Sequence, residues 1–172
     1  MPAQRAYDGN ALARPSSRHQ GGLKPMVKFE ISTHINRPVA EVFKYMSDPT
    51  KLPEWNSVVE EATPSETPVR VGTKIQVRAR FLGRKIDSPS VVTEYEVNKR
   101  YTNKSERPFA LTITNTFETE GGGTKVGAIF DGDAAGFFKL AEPILARIAK
   151  KQFQAQLDTA KELLEAQVPV QT

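Results

Sequence analysis

Apolar and polar residues alternate along several stretches of the chain, and this period of two predicts β-strands. The first stretch covers residues 26–35, where apolar positions are separated by charged or polar ones. The second runs from Thr73 to Phe81 and places its apolar residues on one face and Lys74, Gln76, Arg78 and Arg80 on the other. Further strands are predicted at 84–86, 91–97, 101–105, 109–117 and 124–130.

Turn residues separate these strands. Gly121-Gly122-Gly123 is typical of a hairpin between the last two strands, and Gly83 suits a tight turn. Because proline cannot donate to a strand ladder, we expect a bulge or bend at Pro89.

Helical periodicity appears twice. Pro38 suits the start of a short helix, and Asp48 is a candidate N-cap for a second short turn that Pro53 would close. From Asp133 and Gly136 to about 166, apolar residues recur at spacings of three and four, which predicts one long amphipathic helix with a break at Pro143. The order of elements indicates an α+β fold in which this helix covers the sheet.

Short motifs lie along the chain at 35–38, 42–43, 47–49, 52–55, 71–73, 81–84, 92–95 and 121–124. In this order they resemble the START-like (SRPBCC) superfamily, in its polyketide cyclase/dehydrase and lipid-transfer branch. The resemblance implies a helix-grip fold: a curved antiparallel β-sheet wrapped around a long C-terminal helix, with two short helices after the first strand. It also implies a cavity for a hydrophobic small molecule between sheet and helix.

The resemblance covers residues 26–167, which we expect to form one ligand-binding domain, followed by a flexible end at 168–172. Residues 1–25 lack periodicity and contain several Gly, Pro and Ser residues, which predicts a disordered tail. This tail has three interpretations: extra sequence upstream of a native start at Met26, an authentic flexible arm, or a targeting peptide.

Charge does not indicate nucleic-acid binding. Of the formal net charge of +4, residues 1–25 hold +3, from four basic residues and one aspartate. The basic row on the predicted sheet (Lys74, Arg78, Arg80, Arg84 and Lys85) is typical of a solvated face, and we expect Glu94, Glu96 and Glu118 to be its cross-strand partners. No apolar run is long enough to span a bilayer, so we expect no stable membrane insertion and a cytoplasmic location.

The catalytic and metal chemistry available is limited. The chain has no cysteine and two histidines, His19 in the tail and His34 on the polar face of the first strand. We therefore predict no metal site, no cofactor and no catalytic residue of a known motif. Asp131 and Asp133 lie at a strand–helix junction, where helix capping explains them.

The inward face of the predicted sheet carries polar residues among apolar ones, Thr93 among them, which suggests a lined cavity. The alternative is that the tyrosines reach the sheet rim and the amides meet loop backbone. By the resemblance, Trp55 and Phe137 lie near the cavity mouth, with plain core packing as the alternative. The predicted ligand-binding residues are Trp55, Val77, Phe81, Tyr95, Tyr101, Asn103, Ile113, Asn115, Phe130, Phe137 and Ile144.

Three functional hypotheses remain from the sequence. The first is a non-catalytic binder or carrier of a lipid, isoprenoid or polyketide-like molecule, which requires a cavity of at least ~300 Å³. The second is a cyclase/dehydrase-type enzyme that uses Tyr95, Tyr101, Asn103 and Asn115 to polarise a carbonyl without metal or cofactor. The third is a protein-interaction module. The sequence does not predict the ligand or the oligomeric state.

Overall fold

The computed structural model describes residues 26–81, 83–133 and 143–166, and in these ranges seven strands form one curved antiparallel sheet. The strands are β1 (Met26–Ile35), β2 (Val59–Pro64), β3 (Lys74–Phe81), β4 (Arg84–Glu96), β5 (Arg100–Ser105), β6 (Leu111–Glu120) and β7 (Gly123–Asp133). Their order across the sheet is β1-β7-β6-β5-β4-β3-β2, which makes β5 the central strand and β1 and β2 the edges.

Short helices follow β1, and one long helix follows the sheet. They are α1 (Val39–Met46), a 3-10 turn (Pro49–Lys51), α2 (Leu52–Trp55) and α3 (Pro143–Ala166). Asp48 caps the 3-10 turn as predicted, because its Oδ1 accepts the backbone N–H of Thr50 at 2.9 Å. Pro53 lies inside α2 rather than closing it. The predicted helix-grip fold is confirmed.

Pro143, the predicted break, is the first residue of α3 as the structure describes it. The predicted helical residues 134–142 lie outside the described residues.

Helix α3 is hydrogen-bonded to the edge strand β1 and to the residues just after it. Gln154 Nε2 donates to the Ser32 carbonyl at 3.1 Å, and Lys161 Nζ donates to the His34 carbonyl. Near the end of α3, the buried Arg37 Nε donates to the Leu164 carbonyl at 2.9 Å. Edge strands expose unpaired backbone groups, so these bonds both fix the helix and satisfy the edge.

The strand at the other edge, β2, was not predicted. Its burial does not follow a period of two, because the register shifts between Val59 and Glu61 and leaves an irregular pattern. The missing strand also explains a wrong expectation about charge partners. Arg78 pairs with Glu61, and Arg80 Nε lies 2.8 Å from Glu60 Oε1.

The predicted irregularity in β4 falls four residues later than Pro89. The register shifts between Val92 and Glu94, so Thr93 is the extra residue of a bulge. Val92 is therefore buried, and Thr93, which was predicted to point inward, is exposed. After the bulge, inward and outward side chains alternate again, and Tyr95 is half-buried.

Candidate functional site

A cavity of about 160 Å³ lies between the inner face of the sheet, the segment that holds α2, and α3. The sheet supplies most of its wall, Leu52 of α2 closes one side, and Leu157 of α3 covers it. The remaining apolar wall residues are Ile31, Met46, Pro49, Val59, Ile75, Val77, Leu111, Ile113, Ala128, Phe130 and Phe153.

Seven of the residues predicted from sequence to bind a ligand lie on this wall. They are Trp55, Val77, Tyr101, Asn103, Ile113, Asn115 and Phe130. Phe81 lies on β3 and Ile144 lies on α3, and only their backbone positions are described. Phe137 lies outside the described residues.

Tyr95 is not on the cavity wall. Its ring packs edge-on against Phe43 and Tyr101, with centroid distances of 5.3 and 6.0 Å. Its hydroxyl lies 3.4 Å from Ser47 Oγ, beside a separate surface groove between α1 and the loop that precedes β3. Tyr95 therefore contacts the wall residue Tyr101 but does not itself line the cavity.

A polar strip follows the inner face of the central strand β5. Tyr101, Asn103 and Ser105 share that face because side chains alternate along a strand. Asn115 of β6 is directly opposite Tyr101, and Ser90 of β4 is directly opposite Ser105. We call these five residues the polar strip; they give an otherwise apolar cavity a line of hydroxyl and amide groups.

The Tyr101 hydroxyl is held in its neutral form. The residue is 5% exposed, and burial raises the pKa of Tyr101 well above its usual range, while the neighbouring Asn103 amide partly offsets this effect. At neutral pH the phenol is therefore a hydrogen-bond donor and acceptor and not a base.

Two aromatic clusters flank the cavity. In the first, Phe130 stacks on Phe29 at 4.8 Å and contacts Phe153 of α3 at 4.2 Å between ring centroids. In the second, Phe43 of α1 packs edge-on against Phe117 at 5.2 Å as well as against Tyr95. Such contacts add roughly 0.5–1.5 kcal/mol each beyond area burial, so both flanks of the cavity are firmly packed.

Near α2, two polar side chains on the cavity wall differ in how they are satisfied. Asp48 Oδ1 accepts both the backbone N–H and the hydroxyl of Thr50, at 2.9 and 2.7 Å. Trp55 Nε1 is buried and has no hydrogen-bond partner among the described residues. An unpaired buried donor costs roughly 1–3 kcal/mol, so the indole contributes packing and not a satisfied hydrogen bond.

Sequence reasoning did not place six polar residues on the cavity wall: Asp48, Asn56, Ser88, Ser90, Ser105 and Gln156. Ser105 follows Tyr101 and Asn103 at the same alternation, so continuing that count would have found it. Gln156 lies three residues after Phe153 and four before Ala160, on the apolar stripe of α3. A polar residue within such a stripe is the signal that was overlooked.

Other features of the described residues show no catalytic arrangement. A wider groove of about 590 Å³ lies beside Lys74, Pro89 and Lys104, on the outer side of the sheet; we call it the outer groove. His34 Nε2 lies 2.9 Å from the Glu120 carbonyl, and no group of three potential metal ligands is found in the described residues. Asp131 and Asp133 both lie within β7.

The chain was compared with models of known protein families. The model described as "Polyketide cyclase / dehydrase and lipid transport" matches residues 26–165. The chain belongs to this family. This polyketide cyclase/dehydrase and lipid transport family is part of the START-like superfamily suggested by the motifs.

No curated protein shows significant similarity to the chain. None of the described helices has the length and hydrophobicity to cross a bilayer.

Solved structures with the same fold are distant in sequence. The crystal structure of Ara h 8.0201 is 16% identical, with a TM-score of 0.64 over 83% of this chain and 100% of that one. The di-domain ARO/CYC BexL from the BE-7585A biosynthetic pathway is 17% identical, with a TM-score of 0.68 over 86% of this chain. This family member spans 52% of BexL. The protein TTHA0849 from Thermus thermophilus is 22% identical, with a TM-score of 0.62 over 83% of this chain and 98% of that one.

Proposed function

We propose that this protein binds a hydrophobic small molecule in the cavity between the sheet and α3. The observation that carries the proposal is the cavity itself, about 160 Å³ of unfilled space beside Ile113, Phe130 and Leu157. Protein interiors are close-packed and contain few voids larger than a water molecule. A void of this size in the middle of the fold, in a family described by cyclisation and lipid transport, is therefore best explained by a ligand.

The cavity volume limits the ligand. An engineered apolar cavity of about 150 Å³ is known to bind benzene, so the present cavity fits a molecule of about one ring. It is smaller than the ~300 Å³ at which typical ligand pockets begin, and thus smaller than the sequence-based hypothesis required. A lipid or a polyketide of several rings would need the walls to move apart. We therefore centre the proposal on compact ligands.

A cyclase/dehydrase-type activity is the second candidate, and Tyr101 is the observation that favours it. Its neutral hydroxyl, with the amides of Asn103 and Asn115 nearby on the polar strip, can donate hydrogen bonds to a carbonyl and stabilise the charge that develops during enolisation. Loss of turnover in Tyr101→Phe with binding retained would support this activity. Unchanged turnover would exclude Tyr101 from it.

The binding proposal is tested by native mass spectrometry of the protein purified from its source cells, before and after organic extraction. We expect a discrete added mass that disappears on extraction. The matched variants are Ala128→Leu, which extends a side chain into the cavity, and Ala62→Leu, which enlarges a buried strand residue that is not on the cavity wall. Ala128→Leu should lose the added mass and Ala62→Leu should keep it.

Equal retention by both variants would place the bound molecule elsewhere and contradict the proposal. If the wild-type protein is recovered empty, thermal-shift titration with cumene (isopropylbenzene) is the deciding measurement. Absence of stabilisation at saturating cumene would contradict binding in the cavity.

A further inference from the structure

Gln156 is a buried polar residue without a protein partner among the described residues. It lies on α3, is 5% exposed, and contributes to the cavity wall. No hydrogen bond joins its amide to any other group in the part of the chain that the structure describes. Buried polar side chains almost always have a partner, so the Gln156 amide is available to whatever occupies the cavity.

The opposite wall offers matching chemistry. The Asn103 and Asn115 side chains of the polar strip line the same cavity from the sheet. A carboxamide carries two donor hydrogens and an acceptor oxygen. The cavity thus presents amides from both the helix and the sheet, and it can satisfy a ligand group that donates, accepts or does both.

The charge on the wall is unfavourable for an anion. Among the described wall residues there is no lysine, arginine or histidine, and Asp48 is the one acidic residue. A carboxylate buried without a cation loses its hydration and gains no ion pair. We therefore expect the cavity to exclude the carboxylate of a fatty acid or of an aromatic acid.

Resting on the proposed function, we infer that the ligand is an uncharged molecule of about one ring whose carbonyl, amide or hydroxyl group is hydrogen-bonded by Gln156. The ring occupies the apolar space beside Ile113, Phe130 and Leu157. Discrimination comes from the polar group, because an apolar ligand leaves the Gln156 amide unpaired and an anionic one lacks a counter-charge.

Three probes with the same number of heavy atoms separate these cases: benzamide is neutral and polar, benzoate is anionic, and cumene is apolar. Their dissociation constants are measured by NMR titration of the full chain at neutral pH. In the wild-type protein, benzoate should bind at least tenfold more weakly than benzamide. Gln156→Met, which keeps the shape and removes the amide, should weaken benzamide about tenfold, as expected for one hydrogen bond, and leave cumene unchanged or tighter.

Gln154→Met is the control on the same helix. The Gln154 amide donates to the Ser32 carbonyl at 3.1 Å and to Asp158 Oδ1 at 3.0 Å, and this residue is not on the cavity wall. Its loss should lower stability without changing the ratio of benzamide to cumene affinity. Gln156→Leu serves as a second variant if Gln156→Met does not fold.

The inference is overturned if benzoate binds as tightly as benzamide, or if Gln156→Met weakens benzamide and cumene by the same factor. In either case cumene binding would leave the proposed function intact. If none of the three probes binds, the proposed function fails, and this inference fails with it.

Discussion

Replacing Ala128 by leucine tests whether the cavity is real empty space. Ala128 is 3% exposed on β7, opposite Ile31 of β1 and Asn115 of β6, and lies on the cavity wall. In a filled core the extra carbons would have no room. Beside an empty cavity they occupy the void.

The magnitude follows from the volume. A dry void of about 160 Å³ costs the ligand-free protein about 4 kcal/mol, at about 24 cal/mol per Å³. Three added carbons at about 0.8 kcal/mol each recover about 2 kcal/mol of this. Because the polar strip can hold ordered water, we expect a net gain in the free energy of unfolding of about 1–2 kcal/mol.

Urea denaturation of the ligand-free protein measures this gain, with Ala62→Leu as the matched control. Ala62 is 5% exposed on β2 and does not line the cavity, so its enlargement should destabilise the protein by roughly 1–3 kcal/mol through overpacking. With cumene at about 100 times its dissociation constant, the wild-type protein should gain about 2.7 kcal/mol, and Ala128→Leu much less.

A loss of stability in Ala128→Leu as large as in Ala62→Leu would refute the reasoning. It would mean that the space beside Ala128 is already filled, and that the proposed ligand site does not exist in the native protein.

Three further outcomes are expected. Arg37→Met should lower the unfolding free energy in urea by roughly 1.5–3 kcal/mol, because it removes the buried charged hydrogen bond to the Leu164 carbonyl; an unchanged midpoint would contradict this. Phe153→Ala should lower the unfolding free energy in the same assay by an amount at the lower end of the roughly 3–5 kcal/mol typical of buried phenylalanines, because its half-buried ring packs against Phe29 and Phe130. Burial raises the pKa of Tyr101, so unfolding that exposes this tyrosine is favoured as pH rises above about 10. Tyr101→Phe should flatten this alkaline loss of stability, and a wild-type slope in the variant would contradict it.

The parts of the fold that local patterns dictate were predictable. The alternation in β1, the Asp48 cap and the Gly121–Gly123 turn each depend on residues close together in the chain, and each appears where expected. The stripe on α3 was also predictable as far as the described residues reach, because one face of a helix repeats every three to four residues.

The errors came from features that depend on pairing between distant strands. The bulge at Thr93 reverses which side chains of β4 face inward. A one-residue shift of this kind moves the following side chains to the opposite face and interrupts the alternation in the sequence. Strand β2 is irregular for the same reason, so its glutamates were not recognised as partners of the β3 arginines. The sequence does not show such a shift until the partner strand is known.

The candidate site was predictable in its composition and only partly in its membership. Alternation identified Tyr101, Asn103 and Asn115, which the structure brings together on the polar strip. Tyr95 was predicted to point to the same face of the sheet, but it does not line the cavity. Its ring packs against Phe43 of α1, and its hydroxyl lies beside Ser47. Alternation along a strand predicts which face of the sheet a side chain lies on. The packing of the helices then determines which side chains on that face line the cavity.

A chemical-shift map of cumene binding tests the central claim most directly. The protein, labelled with ¹⁵N, is titrated with cumene, and backbone amide shifts are followed for every assigned residue. The account predicts that the largest changes cluster at Tyr101 and Asn103 of β5, at Ile113 of β6 and at Leu157 of α3, and that Ala128→Leu abolishes them. Changes confined to the outer groove at Lys74 and Lys104, or none at saturating cumene, would contradict a ligand site between the sheet and α3.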